Sequence, residues 1–104
     1  MQDSEFHDEV DGIFDEIELG IDELEDDVDV DSSGGVLTLT FPNGSAAIFS
    51  RQVANHEIWI AAKSGGFHLH KDGEHWFCGL TKESLEQIVH RVFVEQLGRE
   101  VTIL

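Results

Sequence analysis

The chain has 104 residues, a single cysteine and a formal net charge of −16 at pH 7. Its length suits one domain spanning residues 1–104 around one core, and 22 acidic against 6 basic residues leave too few Lys and Arg to bind nucleic-acid phosphates. With no internal disulfide, no apolar run long enough to cross a membrane and no signal peptide, we expect a cytoplasmic protein that binds neither nucleic acid nor membrane.

The first predicted element is an amphipathic helix over about residues 4–24, because apolar residues recur there at steps of three and four. Its apolar positions are Phe6, Val10, Ile13, Phe14, Ile17, Ile21 and Leu24. Asp3 or Ser4 is placed to cap its start. Beyond this helix the period changes to two, since Val28 and Val30 alternate with acidic residues as in a strand with one wet face.

Five further strands are predicted after a turn at residues 32–35, and most are separated by Gly, Asn or Pro. Their ranges are 36–41, 45–52, 57–63, 67–71 and 74–79. Thr81 is expected to cap a second helix over about residues 82–97, which Gly98 ends. This order contains no βαβ unit. It predicts an α+β fold, a two-layer α-β sandwich with both helices on one face of an antiparallel sheet of about six strands.

Acidic residues are concentrated in the first 31 residues, which carry 15 carboxylates and no Lys or Arg; the other 73 residues carry 7 acids and 6 bases. Many of these carboxylates recur at steps of three or four along the helix, where each like-charged pair costs about 0.2–0.5 kcal/mol. A hard cation or a basic protein would relieve this repulsion, and an open row of carboxylates predicts several weak sites. A solvated surface that only maintains solubility is the alternative interpretation.

The histidines form two groups. His7 lies near Asp3 on the first helical turn and can add a nitrogen ligand to a metal there. A two-residue turn at residues 72–73 would place His70 opposite His75, on the same open sheet face as His68. This second group is interpreted either as a transition-metal site or as a wet polar face.

Two other side chains attract attention on chemical grounds. Trp59 lies between Ile58 and Ile60, which should face inward, so Trp59 should point outward as a binding anchor or as a sheltered surface residue. Cys78 falls in an apolar alternation and is expected to be a core thiol. No Ser-His-Asp triad motif and no phosphate-binding glycine loop is present, so catalysis finds little support.

Several short segments together form a recognisable pattern. They are Asp-Ser-Glu-Phe-His at 3–7, Ser-Ser-Gly-Gly-Val-Leu-Thr-Leu-Thr-Phe at 32–41, Asn-Gly at 43–44, Arg-Gln at 51–52, Ile-Trp-Ile-Ala at 58–61 and Glu-His-Trp-Phe at 74–77. With its acidic first helix, the chain resembles the frataxin family in its short bacterial form, over essentially the whole length. It departs from the family pattern at Ser50, Ala54 and Glu57, so we expect the polar contacts around Trp59 to differ.

The resemblance implies an α-β sandwich and a role in iron–sulfur cluster assembly. Family members bind iron through carboxylates of the first helix and strand, and dock on the cysteine desulfurase and its scaffold protein. The metal ligands implied by position are Asp3, His7, Asp22, Glu23, Asp27, Asp29 and Asp31. The implied sheet-face contacts are Gln52 and Trp59. We expect Glu16, Glu18, Asp22 and Glu23 to attract a basic desulfurase.

We therefore expect a non-enzymatic iron-binding regulator or iron donor, with iron held weakly at several sites where other divalent cations can substitute. Without metal the chain should be a monomer, with metal-driven oligomers as the alternative state. Two other functions stay open: a purely electrostatic acidic inhibitor of a basic partner, and a ferroxidase or iron-storage protein. Ferroxidase chemistry needs two irons held by Glu and Glu-x-x-His ligands inside a four-helix bundle, which two helices without this motif do not supply.

Overall fold

The computed structural model describes residues 1–104 as two helices and a seven-stranded antiparallel sheet. The elements are α1 (Asp3–Asp22), β1 (Asp29–Ser33), β2 (Val36–Thr40), β3 (Ala46–Gln52), β4 (Glu57–Ala62), β5 (Gly65–Asp72), β6 (His75–Cys78), β7 (Glu83–Ser84) and α2 (Leu85–Leu97). The predicted α-β sandwich is confirmed, with seven strands where about six were expected. Neither helix combines the length and apolar character that crossing a membrane requires.

The sheet is a meander, in which each strand pairs with the next one along the chain and β1 and β7 form its edges. One face of the sheet carries alternate apolar side chains, such as Leu37, Leu39 and Phe49, which are fully buried. The predicted stripe of α1 packs against this face, and its Ile17 is also fully buried. The opposite face of the sheet has no helix over it. It is the open face on which the predicted partner contacts lie.

Three predicted turns are displaced by one or two residues. β1 continues through Ser33, and the turn is Gly34-Gly35 alone, with φ of 61° and 78°, as a type I′ hairpin turn requires. The turn after β4 comprises residues 63–64, so that Gly65 and Gly66 belong to β5. The turn after β5 comprises residues 73–74, because Asp72 pairs with His75.

Both predicted capping residues were wrong, and α2 also starts later than expected. Glu5 Oε1 accepts a hydrogen bond from the backbone N–H of Gln2 (3.2 Å), which is the capping residue of α1. Before α2, the residues from 81 form a turn and the short strand β7, and Ser84 caps the helix by accepting from Gln87 N–H (3.2 Å). Pairing of β7 with β6 takes residues that helical periodicity alone would assign to the helix. Gly98 ends α2 in the left-handed conformation, as predicted.

A buried glutamine joins α2 to the sheet. Gln96 is 2 % exposed, and its Nε2 donates to Ser45 Oγ (2.9 Å) and to the Ala46 carbonyl (3.1 Å). Its Oε1 accepts from Lys63 N–H (3.2 Å). Because each polar atom of this amide has a partner, burial carries no unsatisfied-group penalty. The amide fixes the end of α2 against two turns of the sheet.

Candidate functional site

Basic side chains from the sheet pair with two acids in the first half of α1. Arg51 Nη2 donates to Asp11 Oδ1 at 2.7 Å, and Lys71 forms an ion pair with Glu9. Arg51 lies on the same side of β3 as Phe49, and its guanidinium stands over the Phe14 ring at 5.3 Å. The alternation of β3 was a sequence signal that could have placed Arg51 beneath α1, although the ion pairs themselves were not predicted.

The second half of α1 and the segment through β1 carry carboxylates without such partners. None of the six ion pairs in the structure includes them. They are Asp15, Glu16, Glu18, Asp22, Glu23, Glu25, Asp27, Asp29 and Asp31, and are called the carboxylate surface below. No basic residue occupies the last turn of α1, where the helix dipole is negative and disfavours acids. A cation or basic group at this surface would therefore be stabilising.

One acid in the turn after α1 is neutralised by the C-terminal tail. Arg99 Nε donates to both oxygens of Asp26, at 3.0 and 3.2 Å, and Nη2 also contacts Oδ1. The hydrogen bonds from Arg99, and secondarily its charge, lower the pKa of Asp26 and raise that of Arg99. Asp26 is thereby withdrawn from the acids available to a metal.

Four of the predicted metal ligands lie at the two ends of α1. Asp3 and His7 lie at the start of α1, and Asp22 and Glu23 at its end, about 28 Å away at 1.5 Å per residue. Asp3 Oδ1 accepts from His56 Nε2 at 2.7 Å. His7 Nδ1 accepts a hydrogen bond from Arg51 Nη1 at 3.1 Å, because a guanidinium group can only donate. The predicted nitrogen ligand is thus already occupied on one side.

Of the remaining predicted ligands, Asp27 lies in the loop before β1, and Asp29 and Asp31 lie on β1. Asp29 and Asp31 pair in register with Thr40 and Thr38, so their side chains point to the open face and away from α1. No group of three or more His, Cys, Asp or Glu side chains is gathered so that it could hold a metal ion. The arrangement offers hard oxygen ligands singly or in pairs along an open surface, which suits exchangeable binding of hydrated hard cations.

The open face carries the two predicted partner contacts close together. Trp59 faces outward as predicted, but is half-buried because its ring stacks on His68 with centroids 4.1 Å apart and planes 7° apart. Its Nε1 donates to Glu57 Oε1 at 2.9 Å. Gln52 pairs in register with Glu57 on the adjacent strand. These contacts hold the indole in one orientation. Glu57 was expected to alter the polar contacts around Trp59, whereas His68 was not predicted as its partner.

The predicted His70–His75 pairing was wrong. His70 lies opposite Phe77 and His75 opposite Asp72, because the hairpin turn comes one residue later than expected. The shift changes the pairing without changing the face, so His68, His70 and His75 do share the open face.

Cys78 is a core thiol, as predicted, and is 2 % exposed. Burial is the largest single influence on the pKa of this thiol, and by itself it would raise that pKa. Hydrogen bonds from Thr81 and from the backbone around it outweigh burial, and the net pKa is lowered.

Two members of the carboxylate surface lie on the same face of the sheet as Trp59. Asp29 and Asp31 on β1 point to the same side of the sheet as Trp59 on β4, three strands away. At about 4.8 Å per strand, this separation is about 15 Å. One protein partner can therefore contact both surfaces at once.

Similarity to known proteins covers nearly the whole chain. The family described as "Frataxin-like domain" matches residues 1–99. The iron–sulfur cluster assembly protein CyaY of Pseudomonas fluorescens is 43 % identical over 98 residues, covering 92 % of this chain and 89 % of that protein. The same-named protein of Stutzerimonas stutzeri is 42 % identical over 100 residues, covering 94 % and 91 %. The solved frataxin of Psychromonas ingrahamii superposes with a TM-score of 0.90 at 30 % identity, covering 100 % of this chain and 99 % of that one.

Proposed function

The chain belongs to the frataxin-like family, and from this premise we propose that it is an iron-binding regulator or iron donor of iron–sulfur cluster assembly. It acts without catalysis, in the cytoplasm, by docking on the cysteine desulfurase and its scaffold protein. Iron is the cargo or signal, held weakly by carboxylates. The relatives that bear the name iron–sulfur cluster assembly protein support the process; the iron and the two partners are our inference.

The observation that carries this proposal is the division of the acids on α1. The sheet neutralises Glu9 and Asp11 with basic side chains, whereas the carboxylate surface has no internal counter-charge. A fold that pairs some acids and leaves most of the others without a counter-charge retains a negative field available to external ligands. Hard Fe²⁺ or a basic protein surface is the chemistry that matches it.

The two surfaces have different roles in docking. The carboxylate surface acts at long range and sets the rate of encounter with a basic partner. Trp59 acts at contact, because a large ring already held by His68 and Glu57 loses little conformational entropy on binding. Association is therefore expected to depend on charge, and dissociation on the indole.

Surface-plasmon kinetics on the desulfurase and scaffold tests this division. Reversing Glu16, Glu18, Asp22 and Glu23 to Lys should slow association and flatten its salt dependence. A control with the same charge change, reversing the exposed Asp72, Glu74, Glu86 and Glu95, should have a much smaller effect. If the two sets of reversals have equal effects, association depends only on the net charge of the chain. That result would contradict a localised docking surface.

Trp59→Ala should speed dissociation by the equivalent of roughly 2 kcal/mol, with little change in melting temperature because the ring lies outside the helix–sheet core. Leu80→Ala, at a side chain 90 % exposed elsewhere, is the matched control. Unchanged dissociation together with a markedly lower melting temperature would show that Trp59 serves folding and not docking.

A second function is favoured by one observation. No three ligands converge on a metal position, which suits an acidic inhibitor that fills a basic groove of its partner with metal incidental. Docking that is equally tight with Fe²⁺ and with a chelator, and that inhibits cluster assembly at every iron level, would favour this second function over an iron-dependent one.

A further inference from the structure

A groove of mixed character lies inside the carboxylate surface, between α1 and β1. Its lining comprises two apolar side chains, Leu19 and Val30, and three acidic ones, Asp15, Glu18 and Asp22. Leu19 is 63 % exposed and Val30 38 % exposed. Single exposed apolar residues are ordinary, but two that line one groove within a charged surface are typical of an interaction site.

The groove exists because the helix layer stops short of the sheet edge. Val30 pairs in register with Leu39, so both side chains point toward the helices. Leu39 is fully buried there, whereas Val30 on the outermost strand is not. Beyond β1 no further strand follows, and every second residue of an edge strand directs its N–H and C=O groups outward without a partner. The edge at β1 therefore presents an apolar side chain next to backbone N–H and C=O groups that have no partner.

Charge decides what can occupy this edge. Asp29 and Asp31 alternate with Val30 along β1 and point to the opposite, open face. A second copy of the chain added at this edge would bring its own aspartates against these two, and like charges directly opposite are destabilising. Charged side chains on edge strands oppose self-pairing in this way. A segment with basic side chains has the complementary charge.

We propose that the groove binds an extended segment of a protein partner that alternates basic and apolar residues and adds a strand to β1. Side chains of an added strand alternate between the two faces of the sheet. Those on the helix side meet Leu19 and Val30, while their neighbours on the other side meet Asp29 and Asp31. The inference deepens the partner contact proposed above, since Glu18 and Asp22 belong to both, but it requires neither iron nor cluster assembly.

The direct test is a fluorescence-anisotropy titration of the metal-free chain, in the presence of a chelator, with a short peptide of alternating Lys and Val. The control peptide has the same composition, with its lysines and its valines in two separate blocks. The alternating peptide should bind about tenfold more tightly, because only it can place valines on Leu19 and lysines on the aspartates together. Hydrogen exchange of outward-facing β1 amides should slow when it binds.

Variants separate the apolar contact from simple charge attraction. Leu19→Ser should weaken the alternating peptide about tenfold and leave the block peptide unchanged. Leu80→Ser, at an exposed leucine outside the groove, should change neither. Both leucines are exposed, so neither substitution should lower the melting temperature noticeably. Weaker peptide binding can then be distinguished from loss of folding.

Equal affinity for the two peptides would overturn the proposal, and so would a Leu19→Ser variant that binds both peptides as the parent chain does. A metal-free dimer that Leu19→Ser abolishes would assign the groove to a second copy and would also overturn it. If the peptide binds as expected while docking on the desulfurase and scaffold fails, only the proposed function is lost. If docking on the desulfurase and scaffold succeeds while the peptide does not bind as expected, only this inference is lost.

Discussion

At the scale of single residues, Asp26 shows how one distant guanidinium sets the properties of a carboxyl group in the acidic segment. Arg99 is 73 positions away in sequence and donates to both oxygens of Asp26. The sequence could not show this pair, because nothing in the periodicity of the chain relates the C-terminal tail to the turn after α1. Arg51 on β3 and Lys71 on β5 pair with acids of α1 and are the same case: their strands were predicted, but not which acid each side chain reaches.

The Asp26 pair predicts a pH dependence. Its pKa is lowered below the ordinary value of 3.8, so the pair stabilises the fold above about that pH, and the contribution is lost as pH falls through the lower, folded-state pKa. In Arg99→Gln, the NMR titration midpoint of the Asp26 carboxyl carbon should return toward 3.8. Lys63→Gln, at an exposed Lys without an ion pair, should leave it low. An unchanged midpoint in Arg99→Gln would show that the guanidinium is not the cause.

At the scale of elements, what could be predicted depends on how local the deciding interaction is. The buried stripe of α1 and the positive-φ glycine that ends α2 can be predicted from residues close together in sequence. Both predictions were confirmed. The start of α2 was wrong because β7 pairs with β6, a contact that competes with helical periodicity. The open face of the sheet was identified, whereas the pairing of His70 needed the turn position to within one residue.

The two faces of α1 should respond differently to the same substitution. Ile17 is fully buried in the stripe, whereas Leu19, two residues on, is 63 % exposed. Ile17→Asp should cost at least about 4 kcal/mol and unfold much of the chain at 25 °C, because it leaves a cavity and an unpaired buried charge. Leu19→Asp should cost less than about 1 kcal/mol. Chemical denaturation of both variants gives the comparison, and similar losses would contradict the assigned face.

At the scale of the whole molecule, charge and fold are separated in space. The core belongs to the helix–sheet interface, while the formal −16 lies mostly on the second half of α1, the following turn and β1. The sequence located this charge correctly but could not show that the predicted ligands divide between the two ends of α1 and the open face. That division depends on helix length and strand pairing together, which only the assembled fold reveals.

Divalent cations should stabilise the whole molecule beyond their effect as salt. Cations that bind only the native chain add RT ln(1 + [L]/Kd), so Fe²⁺, Mn²⁺ or Ca²⁺ at about fivefold above Kd adds about 1 kcal/mol and raises Tm by about 4–8 °C. The variant with Glu16, Glu18, Asp22 and Glu23 reversed to Lys should lose this gain. If NaCl at equal ionic strength raises Tm as much, the carboxylate surface is only screened and holds no sites.

Under the proposed function, this chain links iron supply to cluster assembly through its carboxylate surface. The most direct measurement is the rate of cluster assembly on the scaffold protein by the desulfurase, with and without the chain, across a range of Fe²⁺ concentrations. We expect the chain to change the rate by an amount that varies with iron, and the four-residue reversal to Lys to abolish this change. A rate that is the same with and without the chain at every iron level would contradict the claim.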